Sequence, residues 1–391
     1  MRVFLFFIIR NVVTYLDNLI GFFKKNKTQL EIPKRLLIIR WDRIGDAVVT
    51  IPLIEAIHHR FPTIKIDILC SDYNAWVFED CEGVNQIIRC PGVGFTYGEK
   101  RLIKFLKGLF FKNKSIKEAI GNNHYDQCLD CLGGEHTFSM HSLAKTLIGQ
   151  KTEDGFSWVY DSYPKKPIRY SQKTIAQYYF DHLCSVWGVP SIKVTEPKSI
   201  PLNHSTNVTE ILSVIPDEFI MLNISGSDKF RSFEESQLLS IIFKLSKISK
   251  LVIFDNDKQL MMPKVITQIP SSVIQLPKLT LPELAVIAKE SCFLIGNEGG
   301  ATHYCASQCS SLKLFTSKSY DYHFYGFTSN KGEFTKTEDN ETALWKNNYN
   351  DFILIPKPKK SYPFRPYMIN NEPQNINVDR IIGVIKQVLM D

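Results

Sequence analysis

The segment Arg35 to Pro62, RLLIIRWDRIGDAVVTIPLIEAIHHRFP, constrains the fold of this chain more than any other stretch. Leu36 to Ile39 is an uninterrupted apolar run after a basic pair, the pattern of a strand covered on both faces in a parallel sheet. A tight turn from Asp42 to Asp46 follows, with Gly45 letting the backbone bend. Val48, Val49, Ile51, Leu53, Ile54 and Ile57 then recur at helical spacing as far as Phe61-Pro62. A carboxylate at Asp46 stands outside the carboxyl end of a strand, where open α/β sheets bind ligands. The same position suits a helix cap, so both readings of Asp46 are open. The turn lacks a full G-x-G-x-x-G, so there is no dinucleotide fingerprint here.

Further α/β alternation follows. Lys65 to Cys70 and Val84 to Arg89 read as the next strands, and Tyr125 to Gly134 as a strand running into a glycine turn. An aromatic helical run ends near Val189-Pro190, and from Pro197 to Asn207 the composition shifts to Pro, Ser, Thr and Asn, which marks a domain boundary. In the second half Phe219 to Ile224 reads as a strand, Ser225 to Phe233 as a polar loop and Glu234 to Ser249 as a helix. Leu251 to Phe254 is a strand, Leu281 to Lys289 a helix and Cys292 to Ile295 a strand. The last of these feeds Gly296-Asn297-Glu298-Gly299-Gly300-Ala301-Thr302-His303 and a helical Tyr304 to Ser307. Successive backbone N–H groups from a glycine turn entering a helix suit a phosphate, and glycine used only for close packing would leave the same trace.

With 391 residues, 44% of them hydrophobic, the chain can build two domains with separate cores. The expected division is an amphipathic helix over 1–28, one α/β domain over 29–200, a second over 205–375 and a closing helix over 376–391. Nine cysteines in a chain this long do not make a disulfide scaffold. The isolated pairs Cys128/Cys131 and Cys305/Cys309 lack a second half at zinc spacing, so reduced thiols in the cytoplasm are expected.

A net charge of +7 with clustered basic residues points to an anionic partner. Arg10, Asn11, Asp17 and Asn18 interrupt the apolar N-terminus and exclude a comfortable membrane span, and no signal-peptide cleavage site follows. Ile9, Val12, Val13, Leu16, Leu19, Ile20 and Phe23 form a helical stripe closed by Lys24, Lys25 and Lys27. That pattern suits a helix lying in a membrane interface, or one packed on the protein's own core. Lys100 to Lys117 interleaves seven basic residues with Phe105, Leu106, Leu109, Phe110 and Phe111, which fits anionic lipid headgroups or a solvated helix. No nucleic-acid motif stands anywhere in the chain, so no nucleic-acid partner is expected.

Three motifs then occur in order: RWDRIGDAVVTIPLIEAIHHRFP, NISGSDKFRSF and LTLPELAVIAKESCFLIGNEGGATHYCAS. Together they make the chain resemble the bacterial lipopolysaccharide-core heptosyltransferases of glycosyltransferase family 9, inverting enzymes that use ADP-heptose. The resemblance implies a GT-B fold, two Rossmann-like doubly wound α/β domains facing a cleft. It makes Asp46 the general base and sets Lys229 against the donor pyrophosphate. Ser225, Gly226, Ser227, Arg231, Glu298, Gly299, Gly300, Ala301, Thr302 and His303 would complete the donor site. Arg43, Gly133, Gly134 and Arg169 would meet the acceptor. No metal or other cofactor is implied, because lysine and a helix N-terminus carry the leaving-group charge. The implied partners are ADP-heptose, a lipid-linked anionic glycan and the cytoplasmic face of the inner membrane.

Some residues depart from the family pattern. Glu298 stands where Asp is usual, Phe230-Arg231-Ser232-Phe233 replaces a basic-x-Trp-Pro continuation, and Asp255-Asn256-Asp257 replaces a glycine-rich turn. Transfer from another nucleotide sugar to a surface glycan is therefore the alternative, ahead of a non-catalytic membrane-surface protein. A nicotinamide-dependent oxidoreductase would need the dinucleotide fingerprint that the first turn lacks.

Overall fold

The computed structural model describes residues 27–90, 112–132, 143–150, 157–165, 173–195, 197–224, 235–255, 268–297, 299–308, 312–316, 333–336, 342–346, 351–356, 379 and 382–383. The chain divides into two compact units, Met1–Pro201 and Leu202–Asp391.

In the first unit β1 (Arg35–Ile39) is central, and Leu36 to Ile39 are fully buried. It pairs in parallel with β2 (Lys65–Cys70) on one side and β4 (Tyr125–Asp130) on the other. With β3 (Val84–Arg89) and β5 (Ala144–Ile148) the sheet has the order β3-β2-β1-β4-β5, parallel throughout. β5 was not expected from the sequence. Its Ala144 and Thr146 are only partly buried and Lys145 is exposed, so it carries no continuous apolar run. The order reverses between β1 and β4, which makes their carboxyl ends the switch point where such sheets take ligands.

The single helix expected after Asp46 is two helices, α1 (Ile44–Val48) and α2 (Ile51–Arg60). Pro52 near the start of α2 has no N–H to give the preceding turn, so the two cannot run on as one. Nor does Gly45 act as a left-handed bend. It is buried within α1, and the left-handed glycines among the described residues are Gly83, Gly121 and Gly188. Ile51, Leu53, Ile54 and Ile57 of α2 are fully buried beside α4 (Ile175–Val186). Phe61 meets Trp187 edge-on at 5.1 Å between ring centres. Glu55 on the same helix accepts the backbone N–H groups of Lys198 and Ser199 at 3.0 and 2.8 Å, which ties the end of the unit to α2.

Residues 1–26 and 91–111, with most of both segments considered for the membrane, lie outside the described residues. The end of the second basic stretch begins α3 (Lys112–Ile120), whose Ile116 and Ile120 belong to the unit's own core while Lys117 is exposed. At this end the helix turns its apolar residues to the core and Lys117 to solvent, the arrangement of the solvated-helix alternative. Among the described residues no helix is long and apolar enough to cross a membrane.

The second unit repeats the plan after α5 (Thr206–Val214). Its first strand β6 (Phe219–Asn223) is buried throughout and pairs in parallel with β7 (Lys250–Phe254) and β9 (Phe293–Asn297). β8 (Ile274–Gln275) extends one edge. β10 (Leu312–Thr316), β13 (Asp351–Pro356), β12 (Thr342–Lys346) and β11 (Glu333–Lys336) extend the other, the last two strands antiparallel. The sequence reading stopped at β9, so β10 to β13 are additions. The switch point lies between β6 and β9. α6 (Glu235–Leu245) covers this sheet with Leu238, Ile241, Ile242 and Leu245, and Ile382 from the C-terminal segment joins the same core. α7 (Leu281–Glu290) starts in a capping box. The Thr280 hydroxyl accepts from Glu283 N, and Glu283 accepts from Thr280 N at 2.8 Å.

Candidate functional site

At the first switch point β1 delivers Arg40 and Trp41, and the chain turns through Asp42 and Arg43 into α1. Arg43 is the N-cap residue and makes no side-chain cap. Asp46 is the third helical residue, so the helix-cap reading is corrected: the capping position has passed three residues earlier. A carboxylate in the first turn still interacts favourably with the helix dipole. Asp46 is half-buried, and among the described residues its carboxylate accepts no hydrogen bond. That leaves its oxygens available to a hydroxyl from outside.

Around Asp46 the polar groups are closely tied. The Thr50 hydroxyl donates to the Asp46 carbonyl oxygen at 2.7 Å and accepts from Arg40 Nε at 2.9 Å. Arg40 Nη1 donates to Asp42 Oδ2 at 3.0 Å. Arg40 is buried, with 3% of its side chain exposed, whereas Asp42 keeps 24%. Withdrawal from water pushes the Asp42 carboxyl up to about 7. Arg40 opposes the shift, and the nearby Asp46 carboxylate adds to it. Burial opposes the Arg40 charge, and the neighbouring Asp42 and Asp46 outweigh it, so Arg40 stays charged. Its carbonyl accepts from buried Asn74 Nδ2 at 3.0 Å, and Asn74 is itself fixed by Ser71.

One strand over, Asp130 ends β4 opposite Ile39 and is fully buried. It accepts from the Tyr160 hydroxyl at 2.6 Å and from Leu132 N at 2.9 Å, while Gln150 Nε2 donates to the Leu132 carbonyl at 2.8 Å. These bonds anchor the chain entering Gly133-Gly134. Cys128 and Cys131 are buried free thiols, the latter pushed up to about 12 by burial. Among the described residues no group of three or more His, Cys, Asp or Glu side chains could hold a metal ion.

At the second switch point β6 ends at Asn223 and β9 at Asn297, with Asn223 in register with Gly296. α8 (Gly300–Ala306) opens at once behind Gly299, four residues before the expected helix start. Its first turn, Gly300, Ala301 and Thr302, has no helical acceptor for its N–H groups, and His303 N is the first to bond back, to Gly299 O at 3.0 Å. The five residues expected here divide into two sets. Gly299, Gly300 and Ala301 are partly exposed, whereas Thr302 and His303 are buried at 1% and 3% exposure. Thr302 Oγ1 accepts from Asn223 Nδ2 at 2.9 Å. A side chain on Gly296 would meet Thr302 at 2.7 Å and Asn223 at 3.0 Å, so only glycine lets α8 sit this close.

Arg43 and Asp46 therefore share one turn, and Gly299 to His303 share another. Ser225, Gly226, Ser227, Lys229, Arg231, Glu298, Gly133, Gly134 and Arg169 lie outside the described residues. Sequence reasoning missed Arg40, Asp42, Thr50 and Asn223. All four fall within the quoted motifs, but nothing in their spacing distinguishes a buried polar side chain from a solvated one.

No protein-family model matches the chain, and no curated protein matches it. Solved structures do. A glycosyl transferase family 9 protein from Veillonella parvula aligns with TM-score 0.66 at 15% identity over 93% of this chain and 99% of its own. E. coli heptosyltransferase WaaC with ADP aligns with TM-score 0.58 at 15% identity, over 90% and 99%. E. coli ADP-heptose lps heptosyltransferase II aligns with TM-score 0.57 at 11% identity, over 91% and 98%. Over nearly its whole length, this chain has the GT-B fold of these glycosyltransferases.

Proposed function

We propose that the protein is an inverting glycosyltransferase that moves heptose from ADP-heptose to a hydroxyl of the lipopolysaccharide inner core. The observation that carries this reading is the near full-length likeness to heptosyltransferases, one of them with ADP bound. Two placements support it: the half-buried Asp46 in the first turn of the helix at the switch point of one sheet, and the glycine-led turn of α8 at the switch point of the other.

In the proposed reaction Asp46 takes the proton of the acceptor hydroxyl as its oxygen attacks the anomeric carbon from the face opposite ADP. The new glycosidic bond forms with inversion as the bond to the diphosphate breaks. The departing charge falls to the N–H groups of Gly300 and Ala301 and, on the motif resemblance, to Lys229 and Arg231. The burial of Thr302 and His303 supports a role in holding that turn. Acceptor contacts fall to Arg43 and, on the resemblance, to Gly133, Gly134 and Arg169. The N-terminal stripe and the basic Lys100 to Lys117 stretch would bring the enzyme to a membrane bearing a lipid-linked acceptor.

The test is ADP release and product formation with a panel of nucleotide sugars and a deacylated inner-core acceptor. ADP-heptose should raise the melting temperature by mass action and be consumed. Stabilisation and turnover with UDP- or GDP-sugars alone would replace the donor, and no turnover with any donor would end the transferase reading. Sedimentation with anionic vesicles, with and without residues 1–27, tests the membrane role, which fails if the truncated protein binds equally well.

A further inference from the structure

Arg40 is a guanidinium buried directly beneath the turn that carries Asp46, and it grips that turn at both ends. Nη1 holds the first acidic residue of the turn, Asp42, at 3.0 Å. Nε occupies a lone pair of the Thr50 hydroxyl at 2.9 Å, which commits the hydroxyl's one proton to the Asp46 carbonyl at 2.7 Å. Asn74, in the turn that follows β2, fixes the Arg40 carbonyl, so the grip rests on the chain leaving the neighbouring strand. The cluster is not what stability alone would select. Among the described residues Arg40 Nη2 and Asp42 Oδ1 are buried with no nitrogen or oxygen hydrogen-bond partner, and buried ion pairs often add less stability than apolar groups of the same volume.

We propose that Arg40 is a positioning residue of the proposed transfer reaction, fixing the backbone at Asp46 through the Thr50 hydroxyl and through Asp42 so that the Asp46 carboxylate is held where the acceptor hydroxyl arrives. This rests on the transferase reading and adds residues to it that neither touch substrate nor exchange a proton with it. The expected signature is a loss in kcat with little change in KM, since the base is misplaced while both substrates still bind.

The experiment measures kcat and both KM values for Thr50→Val, Thr50→Ser and Arg40→Lys with ADP-heptose and the deacylated core acceptor, alongside melting temperature. Valine keeps threonine's shape and removes the hydroxyl. Lysine keeps the charge but lacks the planar fork that reaches Thr50 and Asp42 together. Thr50→Val and Arg40→Lys should each lower kcat about tenfold with both KM values within about twofold, and Thr50→Ser should restore most of the rate. In an Asp46→Asn background Thr50→Val should cost nothing further, because the two act as one unit. Folded Thr50→Val and Arg40→Lys proteins with the parent kcat would overturn the proposal, as would a full additional loss in the Asp46→Asn background. If Thr50→Val does not fold, Arg40→Lys decides alone. An active parent with indifferent variants refutes only the positioning role, whereas a parent that transfers no sugar refutes the transferase reading and this role with it.

Discussion

Asn223 Nδ2 donates to Thr302 Oγ1 at 2.9 Å, joining the last residue of β6 to the first turn of α8 across a position where only Gly296 fits. The bond is buried, and it sets how closely the glycine turn approaches the strand that opens the Asn-Ile-Ser-Gly-Ser-Asp-Lys motif. Thr302→Val should remove the bond from the Asn223 amide to Thr302 at a net cost of about 0.5–1.5 kcal/mol. The expected outcome is a lower melting temperature and a smaller stabilisation by ADP, read by thermal unfolding with and without nucleotide. Parent-like values for both would detach this bond from the nucleotide site.

Asp46→Asn should fold and bind donor normally while losing transfer by about 10²- to 10⁴-fold, the usual contribution of a general base. Since Asp46 is not the capping residue, the stability cost should be only the dipole term of its carboxylate, about 0.3–1 kcal/mol. Sugar transfer and melting temperature are measured side by side. Near-parent turnover in a stable variant leaves the base elsewhere.

Gly149→Ala places a methyl group 2.1 Å from the Tyr160 ring, whose hydroxyl holds Asp130 at the end of β4. The ring cannot move without giving up that bond. We expect destabilisation of about 1–3 kcal/mol, checked by denaturant unfolding. An unchanged midpoint would mean that Tyr160 repacks freely.

His182 introduces a dependence on pH. The Ser162 hydroxyl donates its proton to the Lys27 carbonyl at 2.8 Å, so it must accept from His182 Nε2 at 3.3 Å. Burial lowers the His182 pKa from 6.5 to about 4. Between these values the unfolded chain binds a proton that the native chain refuses, so stability falls as pH drops from about 6.5 toward about 4. Melting temperature followed over that range should decline in the parent and decline less in His182→Gln. Equal slopes would assign the acid sensitivity to other groups.

Local chemistry along the chain determined a great deal. Continuous apolar runs such as Leu36 to Ile39 and Phe219 to Leu222 suit strands buried on both faces, and the breaks after β1 and β9 mark the strand ends at the two switch points. Two parallel α/β units and the placement of Asp46 and Gly299 follow from those patterns. Tertiary structure alone decided the remainder. β5 is buried only at Leu147 and Ile148, and its place in the sheet comes from the partner β4 rather than from its own pattern. The division of Gly299–His303 into an exposed turn and two buried side chains depends on the Asn223 bond and on the close approach at Gly296. Arg40 read as one more basic residue after a strand. It became a buried hub only once β2 and β4 flanked β1 and Thr50 came back over it, because hydrogen bonds between residues ten positions apart are set by the packing of elements and leave no periodicity in the sequence.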